Sequence, residues 1–325
     1  MISFAILGKE ISESVLVSLI FCFQTLIPSV FPMMVATSIL CRSGVLENCL
    51  KNIRKDSILG IRKDDWSIII TSWLSGFIIG PKIFYSRYEN DVTDYAALTS
   101  NAGLGFVVSY VGIYLWDSFI FGIYIYTVQI LISYVIFKLL PCKKHEISDQ
   151  KAKKIPFINC ITDSVQSCSK TVLYMCGFTV FFTSLKTVIL CFGEHGAVKE
   201  IIVSSLTDIN TGTFLSIGFS SPVVCAFLTG FTIGFGGLCV FFQTASVCKI
   251  NAGKFLLKKL ILGALLGVFL TIYAALFNIS PSAKTVSILN DNANVTNIII
   301  STFCLFIWIN YFKFWLKSKL ISKKY

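Results

Sequence analysis

Charge is what this sequence has least of. Only 14% of its 325 residues are charged, against 55% hydrophobic, and mean hydropathy is +0.76. An average soluble protein is about a quarter charged, so a water-soluble globule, a disordered chain and a disulfide-stapled secreted module are all excluded. Histidine is scarce, with His145 and His195 alone. The twelve cysteines contain no CxxC pair. A metal site needs converging His, Cys or carboxylate ligands, so no metal and no cofactor is expected. A Walker A loop, a dinucleotide-binding glycine fingerprint, an HExxH pair and a GxSxG elbow are also missing. No catalytic residue is therefore assigned, and the chain is read as a non-enzyme.

What the sequence has is long apolar runs. Val15–Leu40, Trp66–Pro81, Tyr95–Trp116, Ser118–Phe137, Thr171–Leu185, Ile209–Cys248, Leu260–Ala283 and Asn292–Phe312 carry no charge. A transmembrane helix needs about 20 apolar residues, and a β-barrel would instead show short alternating strands. The expected fold is an all-α polytopic membrane protein with about 7–9 membrane segments, some of them broken or re-entrant. The first run is long enough to remain as an anchor, and no cleavable signal is evident. Formal net charge is +11, and the basic residues cluster between runs. The clusters lie in Arg42–Lys63, in Lys138–Lys154, at Lys249, Lys254, Lys258 and Lys259, and in the tail from Lys313 to Lys324. Cytoplasmic loops carry excess Lys and Arg, so all four are read as cytoplasmic and no nucleic acid partner is expected. Keeping the first two on one side requires an even number of crossings between residues 65 and 138. Three candidate runs lie there, so either something in that region is re-entrant or one basic cluster breaks the rule.

The chain also repeats itself. Trp73–Gly80 (WLSGFIIG) and Phe227–Gly234 (FLTGFTIG) share five of eight residues. Upstream, Glu13–Val15 parallels Asp163–Val165, and Val30–Phe31 parallels Val180–Phe181. Two matches in one order suggest a duplication, with halves at 1–140 and 160–325 joined by a polar linker at 141–159. Repeated halves with Gly- or Pro-interrupted helices are a transporter pattern. The interruptions expected here are Pro28 and Pro32, then Gly76, Gly80 and Pro81, then Asn101, Gly103 and Gly105. In the second half they are Thr207–Gly212, Ser220–Pro222 and Gly230–Gly237. Each glycine also suits close helix packing of the small-xxx-small kind. Ionisable residues within apolar runs are costly and often functional, which singles out Lys186 and Asp208 as a pair or as separate solute contacts. Lys82 and Lys170 can snorkel, and Asp117 reads as a loop residue.

Five blocks carry a family resemblance. They are Leu26–Pro32 (LIPSVFP), Gly76–Pro81 (GFIIGP), Ser100–Phe106 (SNAGLGF) with Gly112, Leu206–Gly212 (LTDINTG) and Gly236–Gln243 (GGLCVFFQ). In this order they resemble the YlbJ-type sporulation integral membrane proteins, which carry nucleoside-recognition or Gate domains. The chain departs from that pattern at Leu104–Gly105, where a proline is usual. It departs again at Phe241 and Phe242, where a histidine is common, and at Asp208, which replaces a glutamate. The resemblance implies two Gate-like repeats and a role in sporulation. It also implies transport of dipicolinic acid, a small planar anion, across the outer forespore membrane. The implied location is a bacterial inner or forespore membrane. The implied partners are the lipid bilayer and the anion, and a homo-oligomer is compatible with both. A nucleoside or another solute, or a scaffold that transports nothing, are the alternative functions. The substrate-binding residues expected are Pro28, Ser29, Gly76, Gly80, Asn101, Gly103, Lys186, Asp208, Thr211, Gly212, Gly234, Gly236, Gly237 and Gln243.

Overall fold

The computed structural model describes residues 7–43, 57–58, 60–140, 157–191 and 196–282. The 141–156 linker, His145, His195, the last apolar run and the basic tail lie outside the described residues. The rest is helical apart from a two-stranded antiparallel hairpin, β1 (Ser57–Ile58) with β2 (Ile61–Arg62), turning at Gly60.

Each half begins with a long helix. In the first half, α1 (Gly8–Phe21) passes through a π-helical turn at Cys22–Leu26 into α2 (Ile27–Arg42). The prolines thus do not break this run. A proline ring clashes with the carbonyl four residues earlier, and a widened π turn just upstream of Pro28 gives that carbonyl room. In the second half, α7 (Phe157–Cys191) runs 35 residues without interruption. Arg42 at the end of α2 pairs with Asp163 near the start of α7 at 3.8 Å. The two long helices are therefore antiparallel.

A helical hairpin follows each long helix. The first is α3 (Lys63–Ser75) and α4 (Ile79–Tyr88). Asp64 and Asp65 favour the start of α3 through the helix dipole. Gly76 ends it at φ 88°, a conformation that costs other residues dearly. α4 then folds back. Gly80 packs on Ser72, Tyr88 Oη donates to Asp65 at 2.8 Å, and Arg87 reaches Asp64 at 3.5 Å. The second hairpin is α8 (Ala197–Thr207) and α9 (Ile209–Ser216), bent at Asp208, with Gly212 packed on Ser205. Lys82 donates to Ser167 near the start of α7, and Lys199 donates to Leu190 O at its end. The two hairpins therefore enter the bundle from opposite ends.

Each hairpin is followed by a broken helix and an unbroken one. α5 (Thr93–Thr99) stops at Ser100, and the chain resumes as a π-helix at Gly105–Leu115. Asp117 turns it at φ 48° into α6 (Phe119–Leu139), capped by Ser118. α10 (Pro222–Phe235) starts with a proline that fits a first helical position. It breaks at Gly236 and continues as α11 (Gly237–Val247). Asn251 caps α12 (Ala252–Phe277). Gly230 lies against Gly267 and Gly234 against Gly263, where an added Cβ would sit 2.6–2.8 Å from a backbone Cα. That seam lets α10 and α12 pack backbone to backbone, as helices do in lipid. Among the described residues, four helices are long and apolar enough to cross a membrane: Phe119–Leu139, Ile158–Cys191, Pro222–Val247 and Ala252–Phe277. The α3–α4 hairpin, within residues 65–138, returns toward the end it came from.

The two matched octapeptides occupy different settings. Trp73–Gly80 spans the end of α3, the bend and the start of α4, whereas Phe227–Gly234 lies wholly within α10. Gly76 makes a bend, and Gly230 makes a seam.

Candidate functional site

The bends and breaks pack against one another. Gly76, at the first hairpin tip, faces the α5 break, where a Cβ would meet Gly103 N at 2.8 Å. Phe77 N donates to Asn101 O at 2.9 Å. At the second tip, Gly237 (φ 77°) lies on the Thr207–Asp208 peptide, with a Cβ position 2.9 Å from Thr207 C. Both contacts require glycine for the same reason, which is that two backbones touch where helices are interrupted.

Between the two crossings lies a cavity of about 30 Å³. It is lined by Ser75–Ile78 of the first tip, Gly103 and Phe106 of the first break, and Asp208–Asn210 of the second tip. Cys239, Val240 and Gln243 of α11 complete its polar side, and Val30, Met34, Thr171, Met175 and Thr179 of the long helices close it. A water needs at least about 10–15 Å³, so the cavity has room for about two waters and for no solute of sugar or aromatic size.

Its polar groups are unevenly satisfied. Asp208 is 2% exposed and caps α9, its Oδ2 accepting from Thr211 N at 3.0 Å and Thr211 Oγ1 at 2.9 Å. Its Oδ1 has no partner. Gln243 donates to Cys239 Sγ at 3.2 Å and leaves Oε1 unpartnered. A buried acceptor without a donor costs about 1–3 kcal/mol, more when charged. Lys186 is buried on α7 near enough to attract Asp208 electrostatically, yet among the described residues the two form no ion pair within 4 Å. The first break is better sealed. Asn101 donates to Leu98 O at 3.0 Å and accepts from Ser133 Oγ at 3.0 Å, and Gln129 donates to Ala102 O at 2.8 Å.

Of the residues expected to bind solute, Gly76, Gly103, Asp208 and Gln243 line the cavity. Asn101, Thr211, Gly236 and Gly237 are not among its lining residues and lie within three positions of one along the chain. Gly80 packs on Ser72 and Thr99, Gly212 on Ser205 and Thr232, and Gly234 on Gly263, so these three are packing residues. Pro28 is exposed in α2, Lys186 lies outside the lining, and the Ser29 side chain is not among those described. Sequence reasoning missed Met34, Phe106, Met175, Cys239 and Val240, whose apolar character carries no signal. Asn210, two residues from Asp208 and inside the Thr207–Gly212 interruption, also lines the cavity, although it was not among the residues expected to bind solute. Among the described residues no cluster of His, Cys, Asp and Glu could hold a metal ion. A scan of protein-family models found no match, and neither did searches of curated proteins and solved structures.

Proposed function

We propose that this chain is a membrane transporter or permease for a small solute, built from two related halves of inverted orientation. Each half would contribute a long crossing helix, a re-entrant hairpin, a broken crossing helix and an unbroken one. On that reading the described residues hold six crossings and two hairpins, and the first three basic clusters fall on one side, as the distribution of Lys and Arg requires. The halves correspond by element order: α3–α4 with α8–α9, α5 and the π-helix with α10 and α11, and α6 with α12. The matching of Trp73–Gly80 to Phe227–Gly234 is dropped from this account, since one segment bends and the other does not.

The observation that carries the proposal is the meeting of two hairpin tips and a broken helix at one buried cavity, whose lining includes Asp208 and Gln243, each with a buried oxygen that has no hydrogen-bond partner. Interrupted helices are tolerated in a membrane where their backbone is buried in protein or lines a cavity, and transporters place solute sites at such interruptions. A scaffold needs neither. The cavity is closed, so solute binding has to displace a tip.

Asp208 bears on the solute. Its free oxygen accepts hydrogen bonds, and a dianion such as dipicolinate brings charge of the same sign. A solute with N–H or O–H donors, a nucleoside for example, suits Asp208 and Gln243 better. The resemblance to YlbJ-type sporulation proteins favours dipicolinate and a forespore membrane, which would require a protonated Asp208. Uptake of labelled dipicolinate and of a labelled nucleoside panel into proteoliposomes separates the two. Saturable uptake of a nucleoside alone supports the donor-bearing solute. Saturable uptake of dipicolinate alone supports the resemblance. No uptake of any of them by folded protein counts against transport.

A further inference from the structure

Two adjacent lysines of α12 are buried, Lys258 at 5% exposure and Lys259 at 1%. Neighbours on a helix point about 100° apart, and these two reach different ends of α5. The Lys258 ammonium bonds the Asp94 carboxylate in the first turn of α5, so its charge is matched. Lys259 Nζ donates to Ser100 O at 2.5 Å, at the residue that ends α5. Among the described residues no carboxylate lies within 4 Å of it.

An ammonium in an apolar helix is costly unless paired. What Lys259 has is the carbonyl end of an interrupted helix, where unpaired C=O groups concentrate partial negative charge. In transporters with broken helices such ends hold the coupling cation. Here the cation is covalently part of the chain. Its position is also mechanical. Ser100 precedes Asn101, whose carbonyl accepts from Phe77 at the first hairpin tip, and Gly103, on which Gly76 rests. Ser100 Oγ is unpartnered too, so the segment has no second side-chain anchor at that residue.

We propose that Lys259 is the proton-binding site of the carrier, its ammonium occupying the break in α5 in place of an exchangeable metal cation. This rests on the transport reading above. Protonated, Lys259 holds Ser100 and thereby the seat of the first tip. On release one N–H bond breaks, the electron pair stays on Nζ, and the proton passes to water. The neutral amine no longer holds the carbonyl as a charge-assisted donor, and the tip is freed to move. Binding a proton reverses the step. Titratable and charged groups on the elements packed against α12 are Asp94 and Tyr95 on α5 and Cys225 on α10. On α6 they are Tyr124, Tyr126, Tyr134 and Lys138. On α12 itself they are Lys254, Lys258 and Tyr273. Asp94 is the one acid among them, and Lys258 already binds it.

The test uses wild type, Lys259→Arg, Lys259→Gln and Lys259→Met, in proteoliposomes with labelled uridine and labelled dipicolinate. Exchange is measured with equal solute on both sides, and accumulation under an imposed proton gradient, with a trapped pH dye reporting proton flux. The wild type should accumulate solute with proton movement and without sodium. Lys259→Arg stays charged and keeps the first tip seated, so exchange should fall at least about tenfold, accumulation should fall to equilibrium and the dye signal should disappear, whereas any exchange left in Lys259→Gln should no longer vary with pH. Accumulation by Lys259→Arg with the wild-type pH profile overturns the proposal, and so does wild-type accumulation that depends on sodium and ignores protons. A second readout needs no transport. In lysine-labelled protein, a ¹³Cε resonance missing from each Lys259 variant should titrate between about pH 5 and pH 9. A resonance that stays charged across that range overturns the proposal even where exchange is robust. Titration without any exchange supports the proton site and defeats the transport reading.

Discussion

The two hairpin tips reach similar geometry by different chemistry. The first is a glycine bend, with Gly76 at φ 88° seated on Gly103 and backed by Asn101, Ser133, Gln129 and Lys259. The second has an aspartate in extended conformation, Asp208 at φ −143° and ψ 131°, which caps its own returning helix and sits on Gly237. Side chains cross-tie the first tip to α6 and α12. The second tip leaves a carboxylate oxygen free at the cavity. A tip held from behind can transmit force, and a tip with an unmet acceptor can respond to a solute. On the transport proposal, coupling would fall to the first tip and recognition to the second.

The sharpest way to break the comparison is to put a side chain where backbones touch. Gly76→Ala and Gly237→Ala each force a left-handed residue, at roughly 1–2 kcal/mol, and add a steric clash of about 1–3 kcal/mol. Both should lower thermal stability in detergent by about 3 kcal/mol and abolish exchange. A tip that tolerates alanine is not a close crossing.

Two glutamines sharpen the contrast at the next level. Gln129→Leu strands the buried Ala102 carbonyl and should cost about 1–3 kcal/mol, with solute preference unchanged. Both glutamines leave Oε1 unpartnered and differ in what Nε2 holds. Gln243→Leu gives up only a bond to the weak acceptor Cys239 Sγ, so stability should stay within about 1 kcal/mol while solute affinity falls at least about tenfold. Denaturation midpoints and exchange kinetics on the same two preparations check both. Equal effects at the two positions would erase the difference between the tips. The smallest expected effect lies far from either. Gly177 sits within α7 with nothing within 4 Å of an added Cβ. Gly177→Ala should leave exchange intact and stabilise the helix by about 0.5–1 kcal/mol. A loss of exchange there would move the site toward α7.

Much of this was legible in the sequence because interruptions have a chemical signature. Gly76, Asn101, Gly103, Asp208, Gly236 and Gly237 all fall at bends or breaks. The prolines misled because a π turn absorbs them. The paired octapeptides misled because one GxxxG spacing serves both a hairpin and a helix seam, and spacing alone cannot separate them. Lys258 and Lys259 were read with Lys249 and Lys254 as a cytoplasmic cluster. One helical turn decides the matter, since Lys254 is exposed near the start of α12 and its two successors point into the bundle. Nothing in their order along the chain reveals that α5 waits there with a carboxylate and an open carbonyl.

The most direct test of the central claim is equilibrium exchange of labelled uridine and dipicolinate by wild type and by Asp208→Asn. Asparagine keeps the acceptor that caps α9 and removes the carboxylate from the cavity. The transport proposal predicts saturable uridine exchange by the wild type, at least about a tenfold loss of it in Asp208→Asn, and an unchanged melting midpoint. Undiminished exchange by Asp208→Asn would contradict it and remove the second tip from recognition.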